Sequence, residues 1–474
     1  MTEYRSVTAD VVADLAAILG ERNVSCDPDK LIAYSLDEVQ GPPWKESCRA
    51  DVVVFPEKTE DVATLARYAN ENKIPLTARG AGTGLSGGAV PARRGIVVSF
   101  EKMNRIIELD RDNLTVTVEP GVVTAEINKA AADAGLLYAG DPCSGDASFI
   151  GGNVAENAGG NKVVKYGPTG SHVLALEAVL ADGRVTWFGG KRRKDVTGYD
   201  FVHLLVGSEG TLALITKIIL KLLPLPGEVV DLLVPFPDVA SAVRFVPRIV
   251  TEGKILPASV EFMDHRSISL TERYLNRKLP YSDAGAHLII QLEGNDRENM
   301  ADEYERIGDL CLAHGALEVF VADNRNSRDR LWKARKSITE SVWAFHPGKN
   351  VNEDVVVPTS AVPELMEQVQ AITARHGSDY VAFGHIGDGN MHLTIAPDRD
   401  RPDREAVLKA IQADIYDVVK GLGGTLTGEH GVGLKRRDQV GLFLDEAQID
   451  LIRRVKLAFD PNNILNPDKI VPWK

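Results

Sequence analysis

Arg79-Gly80-Ala81-Gly82-Thr83-Gly84-Leu85-Ser86-Gly87-Gly88 follows directly on a strand-like apolar run at 74–78. Gly82, Gly84 and Gly87 satisfy the G-x-G-x-x-G spacing of a dinucleotide fold, which needs a helix to begin in the loop and aim its N-terminus at the pyrophosphate. Here the chain runs on through Pro91, Arg93, Arg94 and Gly95 into a second strand-like run at 96–100. The Rossmann reading therefore fails on context. What remains is a loop of glycines and hydroxyls whose successive backbone N–H groups can cradle a pyrophosphate without a helix dipole. The plain alternative is a mobile glycine-rich loop.

Working outward, residues 7–20 have helical spacing, 50–55 is a buried strand ending at Pro56, and 59–72 is a helix with acidic residues early. Downstream, 105–110 and 115–119 pair around Arg111-Asp112-Asn113, and 124–135 reads as a helix. A second small-residue region follows in Asp141-Pro142-Cys143-Ser144 and in 151–160, Gly-Gly-Asn-Val-Ala-Glu-Asn-Ala-Gly-Gly. After a hairpin at 173–188 comes a third, Gly207-Ser208-Glu209-Gly210-Thr211-Leu212. Small residues let the backbone approach a flat ligand closely. Three such motifs within one segment converge on one extended cofactor.

Composition sets the outer bounds. With 474 residues the chain is long enough for about three domains or subdomains. The 54 Lys+Arg against 67 Asp+Glu, a net charge of −13, leave no broad basic footprint for nucleic acid. Cys26, Cys48, Cys143 and Cys311 have no C-x-x-C spacing, so neither a disulfide framework nor a protein-ligated iron-sulfur cluster is expected. The start has no secretory pattern, and the longest apolar run, 211–226, is broken by Lys217, Lys221 and Pro224. A cytoplasmic setting is the expectation. Peripheral attachment to a membrane complex and a homodimer both stay open.

Pro224 and Pro226 mark a domain boundary. Beyond them, strands at 229–236, 258–263 and 287–292 mix with helices at 239–250, 297–314 and 362–376, without nucleotide-type glycine loops. Near the end of this region, Gly384-His385-Ile386-Gly387-Asp388-Gly389-Asn390-Met391-His392 reads as two short strands joined by a tight turn. The reversal can bring both imidazoles to one side, where two His and a carboxylate from Gly428-Glu429-His430 suit a divalent ion with positions left open. His430 is then a candidate base. The alternative is a glycine-rich hairpin with two structural histidines.

Taken together, the loop at 79–88, the stretch at 151–160, Gly198-Tyr199-Asp200, Gly-Ser-Glu-Gly-Thr-Leu at 207–212 and the two histidine motifs resemble the vanillyl-alcohol-oxidase superfamily. Within it, the chain is most similar to the FAD-linked D-2-hydroxy-acid dehydrogenases: D-lactate dehydrogenase, D-2-hydroxyglutarate dehydrogenase and the large flavoprotein subunit of glycolate oxidase. The resemblance implies an α+β fold, with a two-subdomain PCMH-type FAD-binding domain at 1–225. An α+β cap with an antiparallel sheet follows at 226–424, and a C-terminal segment at 425–474 returns to the FAD domain. It implies noncovalent FAD, since the first loop has no His to attach it. It places FAD contacts at Arg79, Gly80, Ala81, Gly82, Thr83, Gly84, Leu85, Ser86, Pro142, Ser144, Gly152, Asn153, Asn157, Gly159, Gly160, Gly170, Glu209, Gly210, Ile215 and Asn466.

The same resemblance assigns a divalent metal, Zn, Mn or Fe, to His385, His392 and Glu429, and the role of base to His430. It assigns the substrate carboxylate to Arg335, Thr339 and Lys349. The expected reaction is oxidation of a small D-2-hydroxy acid, D-lactate or glycolate, to the 2-oxo acid by hydride transfer to flavin N5. Electrons pass to a separate acceptor: an iron-sulfur subunit, an electron-transferring flavoprotein or a quinone. D-2-hydroxyglutarate dehydrogenase and a non-catalytic flavin subunit of an electron-transfer complex are the alternatives.

Overall fold

Val52–Val54 and Ile96–Ser99 are short, wholly buried runs of β-branched residues, the pattern of parallel strands covered on both faces. The computed structural model, which describes residues 3–39, 44, 47–346, 350–397 and 401–473, places them side by side with Leu76–Arg79 as parallel neighbours. Val24–Ser25 adds an antiparallel edge. Alternate side chains go to opposite faces. Val52, Val54 and Val98 join Leu15, Val62, Leu65 and Ala66 of two helices, Ala9–Leu19 and Thr59–Asn72. Val53 and Val97 face a smaller cluster with Ala50 and Phe55. The acidic first turn of Thr59–Asn72, Glu60 and Asp61, suits its dipole.

The chain divides into two units. The first comprises Met1–Gly159, Gly167–Leu225 and Glu429–Lys474, and the second Gly160–Tyr166 and Pro226–Gly428. Besides the small sheet, the first unit holds a five-stranded antiparallel sheet, ordered Ile106–Asp110, Thr115–Val118, Leu214–Lys221, Val173–Val179 and Val185–Gly189. Its apolar face packs on Ile127 and Ala131 of helix Thr124–Asp133 and on Ile150 and Val154 of helix Ile150–Glu156. The C-terminal helix Glu446–Phe459 starts with a capping box between Asp445 and Gln448. The residues after it extend the parallel sheet: Leu76 N–H donates to Ile464 O and Asn466 N–H to Leu76 O, both at 2.7 Å.

The second unit is built on a seven-stranded sheet ordered Phe320–Ala322, Glu228–Phe236, Ala286–Gly294, Ser259–Asp264, Asp379–His385, Asn390–Ala396 and Val351–Val356. All its pairings are antiparallel. Register decides what each face carries. Asp231 lies opposite Gln291, Ser259 opposite Gln291, Phe383 opposite His392 and Asp354 opposite His392. With two-residue alternation, Asp231, Gln291, Ser259, Glu261, His385, His392 and Asp354 therefore share one face. Further along that same face, Leu233, Met263, Ile289, Val381 and Phe383 form an apolar patch under Ile268, Ile338 and Val342. The sheet face is thus polar at one end and apolar at the other.

Three details depart from the sequence-based expectation. The small-residue stretch at 151–160 contains a helix, Ile150–Glu156, despite its paired glycines. The second unit runs to Gly428 rather than 424, because Thr425 N–H donates to Val356 O and Gly428 N–H to Asp354 O, carrying the chain along the edge strand. Gly160–Tyr166, expected within the cofactor domain, belongs to the second unit. The buried Glu293 carboxylate holds it there through Lys165 at 3.0 Å, Lys162 at 3.7 Å and the Tyr166 hydroxyl.

Candidate flavin and substrate site

In the first unit the three glycine motifs meet around one open cleft. Its lining includes Arg79 and Gly80, Gly151 and Gly152, Glu209 and Gly210, and Ile215. Gly82 and Gly210 take φ 82 and 66, the left-handed region that favours glycine, while a Cβ on Gly80 would make only ordinary contact, 3.6 Å from Gly152 Cα. At Gly152 a Cβ would meet nothing within 4 Å, so the space above that backbone is the cleft itself. A narrow cleft walled by glycine, alanine and exposed backbone fits the flat ring and pyrophosphate of FAD.

The other expected cofactor residues shape the cleft less directly. Asn157, in the left-handed region at φ 52, accepts the Gly170 N–H through Oδ1 at 2.8 Å. Asn153 is buried and donates to Thr124 Oγ1, and Asn466 donates to Gly88 O and Glu209 O, tying the first loop to the third. Ser86 O accepts the N–H groups of Leu434 and Lys435, and Asp37 accepts that of Gly87. Pro142 and Ser144 build a turn whose carbonyls accept from Gly145, Ala147 and Ser148. Gly159 makes room for Glu429, whose Oε2 would lie 2.6 Å from a Cβ there. Gly160 falls in the second unit.

Glu209, which is buried, and Glu156, which is half-buried, were not singled out for their charge by the sequence reading. Glu209 accepts the N–H groups of Val432 and Gly433 at 2.8 and 2.7 Å, so it shapes the backbone just after His430. Burial pushes the Glu156 carboxyl well above its ordinary range, with Glu209 and Asp37 adding to the effect and Lys469 and Arg436 opposing it. The same burial pushes Lys469 down to about 8, against the pull of Glu209 and Asp37. Lys469 Nζ donates to the Gly87 and Val90 carbonyls, pinning the far end of the glycine loop.

The second unit gathers His385, His392 and Arg335. The turn between the two histidine strands is tight because Gly389 takes φ 84 and a Cβ on Gly384 would strike Asn390 O at 2.4 Å. The His385 and His392 rings stand edge to face with centroids 5.3 Å apart. Each has a buried carboxylate near its Nδ1: Glu261 Oε1 at 2.8 Å from His385, and Asp354 Oδ1 at 3.6 Å from His392. Carboxylate-backed imidazoles are the usual outer shell of a metal-binding histidine pair, so this donor set fits a divalent ion. Arg335, 2% exposed on helix Arg325–Lys336, reaches Glu261 Oε2 at 2.7 Å and lies over the Phe383 ring at 5.1 Å. Burial works to raise the Glu261 carboxyl, but His385 and Arg335 outweigh it and hold it below its ordinary value.

Thr339 sits half-buried one turn beyond Arg335, on helix Ile338–Phe345. Lys349 lies outside the described residues. Asp354 also accepts Asn390 Nδ2 at 2.8 Å and the Gly428 N–H at 3.0 Å, fixing the last residue before Glu429. Within the first unit, His430 Nε2 is 3.8 Å from Glu429 Oε1. Glu261 was missed because it stands in an apolar strand and its partners are remote in sequence. A lone carboxylate between Val260 and Phe262 was the available signal.

Comparison with known proteins agrees with this architecture. Residues 50–189 match the FAD binding domain family, and 225–470 match the C-terminal domain of FAD linked oxidases. The glycolate oxidase subunit GlcD of Bacillus subtilis is 37% identical over 465 residues, covering 98% of this chain and 97% of its own. A D-lactate dehydrogenase of Anaerostipes hadrus is 35% identical, covering 99% and 98%. The solved structure of p-cresol methylhydroxylase, 18% identical, covers 98% of both chains with a TM-score of 0.79. No helix among the described residues is long and apolar enough to cross a membrane. The chain belongs to the FAD-linked oxidase family, shares its fold with p-cresol methylhydroxylase, and is a flavin-dependent oxidoreductase.

Proposed function

We propose that this flavoenzyme oxidises a small D-2-hydroxy acid, D-lactate or glycolate, to the corresponding 2-oxo acid. The observation that carries the reading is the gathering, on one sheet face, of two imidazoles, one hydrogen-bonded to the buried Glu261 and one 3.6 Å from the buried Asp354, beneath a buried guanidinium. Metal donors beside an anion receptor suit a substrate that carries a hydroxyl and a carboxylate on adjacent carbons. The names of the relatives, glycolate oxidase subunit and D-lactate dehydrogenase, point to the same substrate class.

When bound, FAD supplies the hydride acceptor and a divalent ion supplies Lewis acidity toward the substrate hydroxyl. His385, His392 and Glu429 would hold the ion. Arg335 receives the carboxylate through its planar fork, with Thr339 and Lys349 in support. His430 takes the hydroxyl proton, a role suited to an imidazole that is mostly neutral near pH 7. The cysteines are isolated from one another in sequence. Electrons from the bound flavin would leave to a separate acceptor: an iron-sulfur subunit, an electron-transferring flavoprotein or a quinone.

The test is anaerobic bleaching of the flavin by a panel of D- and L-2-hydroxy acids, after chelation and after adding back Zn²⁺ or Mn²⁺. D-lactate or glycolate should bleach it, and chelation should slow the bleaching. Bleaching by D-2-hydroxyglutarate alone would replace the substrate assignment. Bleaching by none of the acids would overturn the reading.

A further inference from the structure

We propose that Glu261 is a positioning residue that sets the metal-binding His385 and the carboxylate-binding Arg335 with a single side chain. The inference rests on the function proposed above and adds a residue to it. Glu261 lies on strand Ser259–Asp264, where Met263 pairs with Phe383, so continuing the antiparallel register puts Glu261 opposite His385 on the polar half of the sheet face. Its side chain is fully buried. Oε1 accepts from His385 Nδ1 at 2.8 Å and from Ser259 Oγ at 3.2 Å, and Oε2 stands 2.7 Å from an Arg335 terminal nitrogen.

Each contact has a chemical consequence. A carboxylate accepting at Nδ1 keeps the proton on that nitrogen, so that Nε2 would carry the lone pair available to an ion, and raises the basicity of the ring. The ion pair to Arg335 compensates the burial of the guanidinium and, with the Phe383 ring 5.1 Å from it, holds the fork in place over the sheet. Because the two oxygens belong to one group, the ion position and the carboxylate receptor are held at a set separation. That separation is what a chelating 2-hydroxy acid has to match.

A buried Glu–Arg pair can also be mere structure, and replacing one partner strands the other charge. The test therefore uses Glu261→Gln, Glu261→Asp and the double variant Glu261→Gln/Arg335→Met, which removes both charges. Three readouts are taken on FAD-loaded protein: Zn²⁺ and Mn²⁺ dissociation constants by calorimetry, the oxalate dissociation constant from flavin spectral perturbation, and thermal unfolding.

Wild-type protein should bind the metals, and oxalate should perturb its flavin spectrum. Glu261→Gln and Glu261→Asp should weaken metal binding about 10- to 100-fold, the range for losing such an outer partner, and weaken oxalate binding as well. The double variant should recover thermal stability while metal binding stays weak. Recovery of metal affinity along with stability would reduce Glu261 to a structural ion pair and overturn the inference. So would wild-type metal and oxalate affinities in both single variants. Failure of the wild-type protein to bind metal or respond to oxalate would instead sink the proposed function, and this inference with it.

Discussion

Lys456 offers a sharp test of how the flavin unit is held together. Its ammonium group is buried, donating to Thr211 O at 2.7 Å, Leu465 O at 2.8 Å and Asp460 Oδ2 at 2.5 Å. Asp460 Oδ2 also accepts the Leu465 N–H at 2.7 Å. One cation thus fastens the end of the third glycine motif to the C-terminal segment that extends the parallel sheet beside Leu76. Lys456→Met keeps the stem but leaves the Asp460 carboxylate with no cation and two carbonyls without that donor. Breaking a buried pair from one side costs about 3–5 kcal/mol. In a unit of this size that lowers the melting temperature on the order of 10 °C. Because Asn466 links Gly88 O to Glu209 O just past the pinned segment, FAD should be lost at a lower temperature too. Flavin fluorescence and circular dichroism during heating measure both transitions, and adding Asp460→Asn to the Met variant should recover part of the loss. A Met variant that melts and releases FAD like the wild type would refute the reasoning.

Three further outcomes are expected. Gly152→Val should fold normally, since a Cβ there meets nothing within 4 Å, yet it should weaken FAD binding at least about tenfold by filling the cleft; flavin content after gel filtration reads this out. His430→Gln should retain FAD and metal but slow anaerobic flavin reduction about 10²- to 10⁴-fold, the range for losing a positioned base; stopped-flow absorbance measures it. Asp264, fully buried and capping helix His265–Leu275, is pushed up to about 6, chiefly by burial and against hydrogen bonds from Ser267 and Ala382. A raised carboxyl contributes stability that is complete below its unfolded value near 4 and lost as pH rises through 6. Asp264→Asn should remove that slope between pH 4 and 6 in urea unfolding, and an unchanged slope would count against the assignment.

How far the sequence could be read differs from place to place for physical reasons. The strand–loop–strand around 79–88 was legible because Pro91 and the glycines exclude a helix, and the absence of a helix there is what separates this fold from a Rossmann fold. Helix Glu446–Phe459 carries its signals locally, in its apolar spacing and in the capping box of Asp445 and Gln448. Helix Ile150–Glu156 was hidden by Gly151 and Gly152, whose low helix propensity is overridden by Ile150 and Val154 docking on the antiparallel sheet. The membership of 160–166 in the second unit could not be read either, because it depends on Glu293, about 130 residues away.

The candidate site follows the same division. His385 and His392 stood out because a Gly-Asp-Gly-Asn turn implies a reversal, and the reversal fixes which side chains share a face. Glu261, which accepts from His385, and Asp354, which lies 3.6 Å from His392, are set by register between strands far apart in the chain, and no local pattern encodes register. In the sequence Glu261 looks like a misplaced charge in an apolar strand. A buried carboxylate is costly unless paired, so its presence there already required a cation and a donor from elsewhere. Arg335 and His385 meet that requirement, which is why an isolated acid in a core strand deserves to be read as half of a site whose other half lies elsewhere in the chain.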